Sequence, residues 1–434
     1  MNEEPSHYAL NPSSELVERA AKLAKAESAR KGEPEFHMTE DMRRLSTPWS
    51  VSQVRAEQIQ ATDLPAGVIL DAAAGSGVQL IALTTGLKRP GLAIELDPNI
   101  GLLCAANMQI TGDEADLQRT MDRVLIGDGT DAENAIVAYW NSLREAGTRA
   151  HPPIGMLHLD PARPRDAQRH EIDEMEPAIG PVLRAWSNHL ETGPRGPAIL
   201  LDLSPRLNED QRSLVDAVIE TTFPGIPRTW EFLSQGGGRI DRLSVWIGSL
   251  SSKERSRCVR MGKKNIMATI EGEAAEAELV TLSSPPPYGA YLTIVDSALV
   301  ESGLHGAWLE KALPEDTGHS WLRLDGRRPL LISTDPLIRD DEIDAFVIAS
   351  GEIVQHRLTP PELHTIEQTA ASSARNGVGK VTLRCSLDPE LHPTLQRRLH
   401  KAMREFDGSR GFMVDLDLDR GSGSHTLYVV CKEQ

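Results

Sequence analysis

Four cysteines in 434 residues are too few and too scattered to form a framework. Cys104, Cys258, Cys385 and Cys431 contain no C-x-x-C pair, which argues against a structural zinc or a disulfide-stapled domain and for a reducing compartment. No run reaches about 18 apolar residues, so no transmembrane helix and no membrane partner is expected. The first residues, MNEEPSHYALNPSSE, are acidic and polar, unlike a signal peptide, and a cytoplasmic protein is expected. The 13 histidines show no H-x-x-x-H or comparable spacing, so no metal site is predicted. Internal repeats and low-complexity segments are missing too. Basic charge is in short supply: 46 Lys and Arg face 63 Asp and Glu, a net charge of −17. Nucleic-acid binders usually carry a basic footprint, so such a partner would have to meet a local stripe. The acidic excess also serves solubility.

The chain is long enough for two or three domains with real cores. Residues 1–64 read as a helical N-terminal extension. SSELVERAAKLAKAESARKG opens on a serine cap and ends at Gly32, and STPWSVSQVRAEQIQA starts a second helix through Pro48. From Gly67 short β-rich runs alternate with helical patterns: GVILDA, SGVQLIALTTGL, GLAIELD, PNIGLLCAANMQI, DRVLIGD and onward to RLSVWIG. That alternation predicts βαβ units and a doubly wound, mostly parallel Rossmann-like α/β sheet over 65–250, closed by an antiparallel hairpin. Gly236 to Gly238 read as the turn of that hairpin, with a phosphate-binding loop as the alternative. Residues 251–265, with Lys253, Arg255, Arg257, Arg260, Lys263 and Lys264, read as a basic linker. Residues 266–434 mix β-like and helical pieces and read as a smaller α+β domain.

Three motifs lie on one edge of this sheet. In VILDAAAGSGVQLIAL a buried strand ends at Asp71, and Gly75-Ser76-Gly77 open a helix. Glycines let the backbone approach a ligand, and the helix N-terminus offers free N–H groups. A dinucleotide site wants a third glycine where Leu80 stands. Asp71 would repel a pyrophosphate but suits an ammonium group, so S-adenosylmethionine fits better. Glu95 ends the next strand, 18 residues after Gly77, where an acid can accept both ribose hydroxyls. Asp128 ends the third, placed to accept from an adenine amino group. Each acid alone also reads as a helix cap. Cys104 sits on an apolar helix face, which argues against a cysteine nucleophile.

LDAAAGSG, AIELDP, IGD and LDPAR resemble the successive motifs of class I S-adenosylmethionine-dependent methyltransferases. STPWSVSQVRAEQI, DLSPRL, TWEFLSQGGGRIDRLSVWIG and GAYLTIVDSALVESGLHGAWLE are similar, in order, to a group that adds a C-terminal THUMP-like domain. The resemblance starts near residue 45 and covers most of the chain. It implies a seven-stranded methyltransferase sheet, S-adenosyl-L-methionine as cofactor, and a THUMP-like domain over 266–434. By analogy with the RNA-binding module of that name, it implies RNA, with tRNA as one form, as the partner.

LDPARPR, residues 159–165, is similar to the D-P-P-aromatic motif of amino-methylating nucleic-acid methyltransferases. Asp160 and the carbonyl exposed by Pro161 would hold an acceptor nitrogen with its lone pair towards the methyl. Ala162 and Arg163 depart from the motif. Arg163 and Arg165, with Arg169 and His170, would stack on a base or meet phosphates. The alternatives are a helix cap at Asp160 and a solvated basic loop after it. The reading is an RNA methyltransferase acting at a base nitrogen. A small-molecule or protein acceptor, or a non-catalytic cofactor-binding protein, stands beside it.

Overall fold

The computed structural model describes residues 6–28, 31–114, 120–162, 172–322, 329–419 and 424–433. They form two compact units that take the chain in alternating pieces. The first holds the described residues up to Glu231, together with Arg242–Arg255 and Lys263–Asn265. The second holds Phe232–Asp241, Ser256–Gly262 and the described residues from Ile266 onward.

The first unit is organised on strands β1 (Val68–Asp71), β2 (Gly91–Glu95), β3 (Arg123–Ile126), β4 (Ile154–Leu159), β5 (Gly196–Leu203) and β7 (Arg242–Gly248), with the first four residues of β6 (Arg228–Ser234). Their order is β3-β2-β1-β4-β5-β7-β6. The first five are parallel and β7 runs antiparallel to β5. Strands β1, β3 and β4 are buried at every residue, because helices cover the sheet on both faces. Helices Ser14–Leu23, Trp49–Gln60, Val78–Leu87 and Pro98–Glu114 pack together as one layer; Ala132–Glu145, Ile179–Trp186 and Glu209–Thr222 form another. This is the doubly wound α/β class expected from the alternation. Strand order reverses at β1, with β2 and β3 on one side and β4 and β5 on the other. The crevice where such sheets bind ligands therefore lies at the carboxyl ends of β1 and β4.

The sheet carries more than the seven expected strands. Tyr8–Leu10 adds antiparallel to β3, with Tyr8 opposite Ile126, and covers an edge that would otherwise be open. The N-terminal extension is also less helical than its spacing implies. Helix Ser14–Leu23 is capped by Ser13 and stops at the extended Ala24. The chain then forms a hairpin, Ala26–Ser28 with Glu35–His37. Asn107 holds the hairpin by accepting from the His37 N–H (2.7 Å) and donating to its carbonyl (3.1 Å). Those long-range bonds override a local helical preference.

The second unit has an eight-stranded sheet in the order Leu279–Val280, His319–Leu322, Leu330–Ser333, Tyr291–Val295, Val347–Arg357, Ser424–Glu433, Ser409–Asp419, Val378–Leu383. One cluster buries Leu292, Ile294, Phe412, Val414 and Val429. In another, helices Ile366–Arg375 and His392–Ala402 set Ile366, Leu395 and Leu399 against Met413 and Val430. The basic stretch 251–265 is not a linker. Ser256–Met261 pairs antiparallel with Ile266–Gly272 and buries Cys258, Val259 and Met261. Arg257 meets Glu271 at 3.5 Å, and the Arg260 guanidinium fills the place where a side chain on Gly236 would stand, 1.9 Å from its Cβ position. Gly236 and Gly238, at φ +88° and +72°, form the turn expected of them. Among the described residues no helix is long and apolar enough to cross a membrane.

Candidate active site

The apolar face shared by β1, β4, β5 and β7 carries Ile69, Met156, Ala198, Leu200 and Trp246. Side chains alternate along a strand, so Asp71, His158, Asp202 and Ser244 continue that same face at its upper end. Register confirms the row: Asp71 lies opposite His158, His158 opposite Leu200, and Asp202 opposite Ser244. All four are buried, with relative exposures of 1 to 3%. His158 Nδ1–H donates to Asp71 Oδ2 (2.8 Å) and Nε2–H to Asp202 Oδ2 (3.2 Å). Ser244 Oγ donates to Asp202 Oδ1 (2.7 Å). Helix Trp49–Gln60 completes the row with Arg55, which is fully buried. Its Nη1 donates to Asp202 Oδ2 (2.5 Å) and its Nη2 to Ser244 Oγ (2.5 Å). Gln79 Nε2 also donates to Asp202 Oδ2 (2.9 Å).

Buried charges survive only when paired and hydrogen-bonded. Here carboxylates and cations alternate as Asp71, His158, Asp202, Arg55. Burial alone would push the His158 imidazole down, but Asp71 and Asp202 outweigh it and hold the ring charged, with its pKa raised to about 10. Burial would likewise raise the Asp202 carboxyl, and Arg55 and His158 hold it well below the usual range.

Asp71, at the end of β1 where the sequence put it, is tied to the row and to the loop: its Oδ2 accepts from His158 and its Oδ1 from the Ala73 N–H (3.2 Å), so the carboxylate shapes the glycine loop. The loop itself is built for close approach. Gly75, at φ +51°, has open space where a side chain would lie. Gly77, at φ +76°, has none, since its Cβ would fall 2.6 Å from Cys104 Sγ. Ser76 is buried, and its carbonyl accepts from Asn107 Nδ2 (3.0 Å).

Glu95 and Asp128 stand at neighbouring strand ends as expected. Glu95 Oε2 accepts from the Gly75 N–H and Oε1 from the Asp97 N–H, both at 3.0 Å. Burial pushes its carboxyl up, and these N–H groups draw it partly back. Asp128 is exposed, with its Oδ1 accepting from Thr130 N–H and Oγ–H at 2.8 Å. Its backbone is clamped from two sides. His7 Nε2–H donates to the Asp128 carbonyl (3.0 Å) and Trp186 Nε1–H to that of Gly129 (2.8 Å). A side chain on Gly127 would strike the His7 ring, and one on Gly129 the Ala72 carbonyl, each at 2.1 Å. The G-D-G pattern therefore records contacts on both sides of Asp128. Sequence reasoning missed His7 and Trp186.

Asp160 follows β4 and is open to solvent. The residue as a whole is exposed but protein surrounds its carboxyl; that desolvation and then the Asp202 charge push the group up to about 7, while His158, Arg242 and Arg55 pull the other way. Pro161 is half-buried, and Ala162 exchanges both backbone hydrogen bonds with Glu176 at 2.9 Å, fixing the turn beyond Asp160. Arg163 and Arg165 lie outside the described residues, as do Arg169 and His170.

No family model and no curated protein matches the chain. Among solved structures it is similar to methyltransferases. One is a precorrin-6Y C5,15-methyltransferase from Geobacter metallireducens (13% identity, 49% of this chain and 93% of that one, TM-score 0.30). Another is the methyltransferase subunit of a type I restriction-modification system from Streptococcus thermophilus (14% identity, 51% and 49%, TM-score 0.33). A third is an O-methyltransferase family protein from Burkholderia thailandensis (15% identity, 47% and 57%, TM-score 0.30).

Proposed function

We propose that the chain is an S-adenosylmethionine-dependent methyltransferase that acts on RNA, tRNA included, at a base nitrogen. The observation that carries the donor reading is the open cradle at Gly75, at the mouth of the β1–β4 crevice, with Glu95 bound to its backbone and Asp128 at the next strand end. Gly75, Ser76 and Gly77 would lie along the donor, Glu95 would accept from its ribose and Asp128 from its adenine amino group. When bound, S-adenosylmethionine supplies an electrophilic methyl group.

The chain's own residues do the rest. Asp160, beside the crevice and reachable from solvent, accepts a hydrogen bond from the acceptor N–H, aligns the lone pair and takes the proton that the methylated nitrogen must lose. Pro161 contributes no competing N–H and presents its carbonyl to the second hydrogen of an amino group. The RNA assignment is supported by the sequence of basic residues after Asp160, Arg163 and Arg165 among them, and by the exposed Lys253, Arg255, Lys263 and Lys264. Arg257 and Arg260 are engaged inside the second unit and leave that set. A small-molecule or protein acceptor is favoured by one observation, the net charge of −17.

Incubating the full chain with methyl-tritiated S-adenosylmethionine and total RNA, total protein or a metabolite fraction separates these readings. Label in RNA, lost in Asp160→Ala, is expected. Label in another fraction overturns the RNA acceptor. Donor bound with no label in any fraction favours the non-catalytic reading.

A further inference from the structure

The row Asp71, His158, Asp202, Arg55 exceeds what a strand face needs for stability. A buried ion chain is often no better than packed apolar side chains of the same volume. This one also reaches the glycine loop. Asp71 Oδ1 holds the Ala73 N–H, and the Ala72 N–H donates to the His158 carbonyl at 3.2 Å, so His158 grips the start of the loop by backbone and by side chain. At the far end the chain leaves the sheet altogether. Arg55 belongs to helix Trp49–Gln60, whose Ala56 and Ile59 pack in the same core as Ile81 and Leu83 of the helix that follows the loop.

We propose that His158 is a positioning residue of the donor site, tying the glycine loop through Asp71 to Asp202 and onward to Arg55, so that the docked N-terminal helix is part of the donor-binding machinery. Two hydrogen-bond donors on one charged ring are what the place requires. A neutral imidazole offers one N–H and would turn its other nitrogen's lone pair on a carboxylate oxygen. Glutamine keeps some donor capacity but neither the charge nor the second contact in that geometry.

The inference rests on the donor reading above, and its test separates the two. The full-length protein is titrated calorimetrically with S-adenosylhomocysteine, with melting temperature checking that each variant is folded. His158→Gln and Arg55→Gln are each expected to weaken binding by between about twofold and thirtyfold, the range of coupling through a packed network. The double variant is expected to bind no more weakly than His158→Gln alone, because Arg55 acts through the link already cut. A merely structural role makes the two losses multiply, and that result overturns the proposal, as do single variants with wild-type affinity. Should His158→Gln fail to fold, Arg55→Gln with Asp202→Asn removes the charges in balance. Wild-type affinity in that pair also overturns the proposal. If the wild-type protein binds no S-adenosylhomocysteine, the donor reading itself fails.

Discussion

His158 and Asp160 sit two positions apart at one strand end, and both titrate above their ordinary values. The His158 value is raised from 6.5 to about 10 in the fold. Its stabilisation is therefore complete below about pH 6.5 and is lost as pH climbs through that interval. The groups facing it are Asp71 and Asp202, with Arg55 beyond. The melting temperature of the wild-type chain is expected to fall between pH 7 and pH 10 more steeply than that of His158→Gln. Parallel curves would show the ring neutral. Asp160, raised to about 7, accepts a proton only in its ionised form. Methyl transfer is expected to rise with pH from 6 to 8, and this rise should vanish from the residual activity of Asp160→Asn. A pH-independent rate in the wild type would leave Asp160 an orienting role alone.

The glycine loop shows how one element separates fit from function. Ala73 to Gly77 contains two left-handed glycines with opposite surroundings. Placing alanine at either incurs a left-handed backbone cost of about 1–3 kcal/mol. At Gly77 the methyl group also meets Cys104 Sγ, 2.6 Å away, so Gly77→Ala is expected to lower the melting temperature more than Gly75→Ala. At Gly75 the methyl group enters open space above Glu95, so Gly75→Ala is expected to weaken S-adenosylhomocysteine binding beyond its effect on stability. The reverse ranking in melting curves and titrations would place the donor elsewhere. The placement of the loop, Glu95 and Asp128 at strand ends was legible because strand-end acids and glycines leave a local pattern in the chain. Arg55 was not, since an arginine in a helix pattern reads as solvated until the helix is seen packed on the sheet. His158 was hidden for a related reason: a histidine inside an apolar run carries no sign of the carboxylates that flank it on other strands.

At the scale of the whole chain, the alternation of strands and helices was enough to give the α/β class and the sheet edge that carries the candidate residues. The piecewise allocation of residues between the two units was not, because strand pairing across many residues leaves no local mark. Thus Ser256–Met261, basic and serine-flanked, read as a linker although Ser256, Cys258, Val259 and Met261 are buried. The net charge of −17 sets a further expectation. If RNA is the acceptor, binding must pass through a few local cations. Its affinity should fall with added salt on a shallow slope, counting few phosphates. A filter-binding series from low to moderate salt measures this, and salt-independent capture would remove phosphate contacts from the picture.

Strand β6 leaves the first unit at Glu231, and the chain returns to it at Arg242, only to leave again at Ser256. A cut at residue 250 would therefore strand Phe232–Asp241 without Arg260, the guanidinium seated against Gly236. A cut that kept only residue 266 onward would lose both earlier pieces. The two units are stitched rather than strung. Neither unit is one contiguous stretch of the chain, so no single cut separates them.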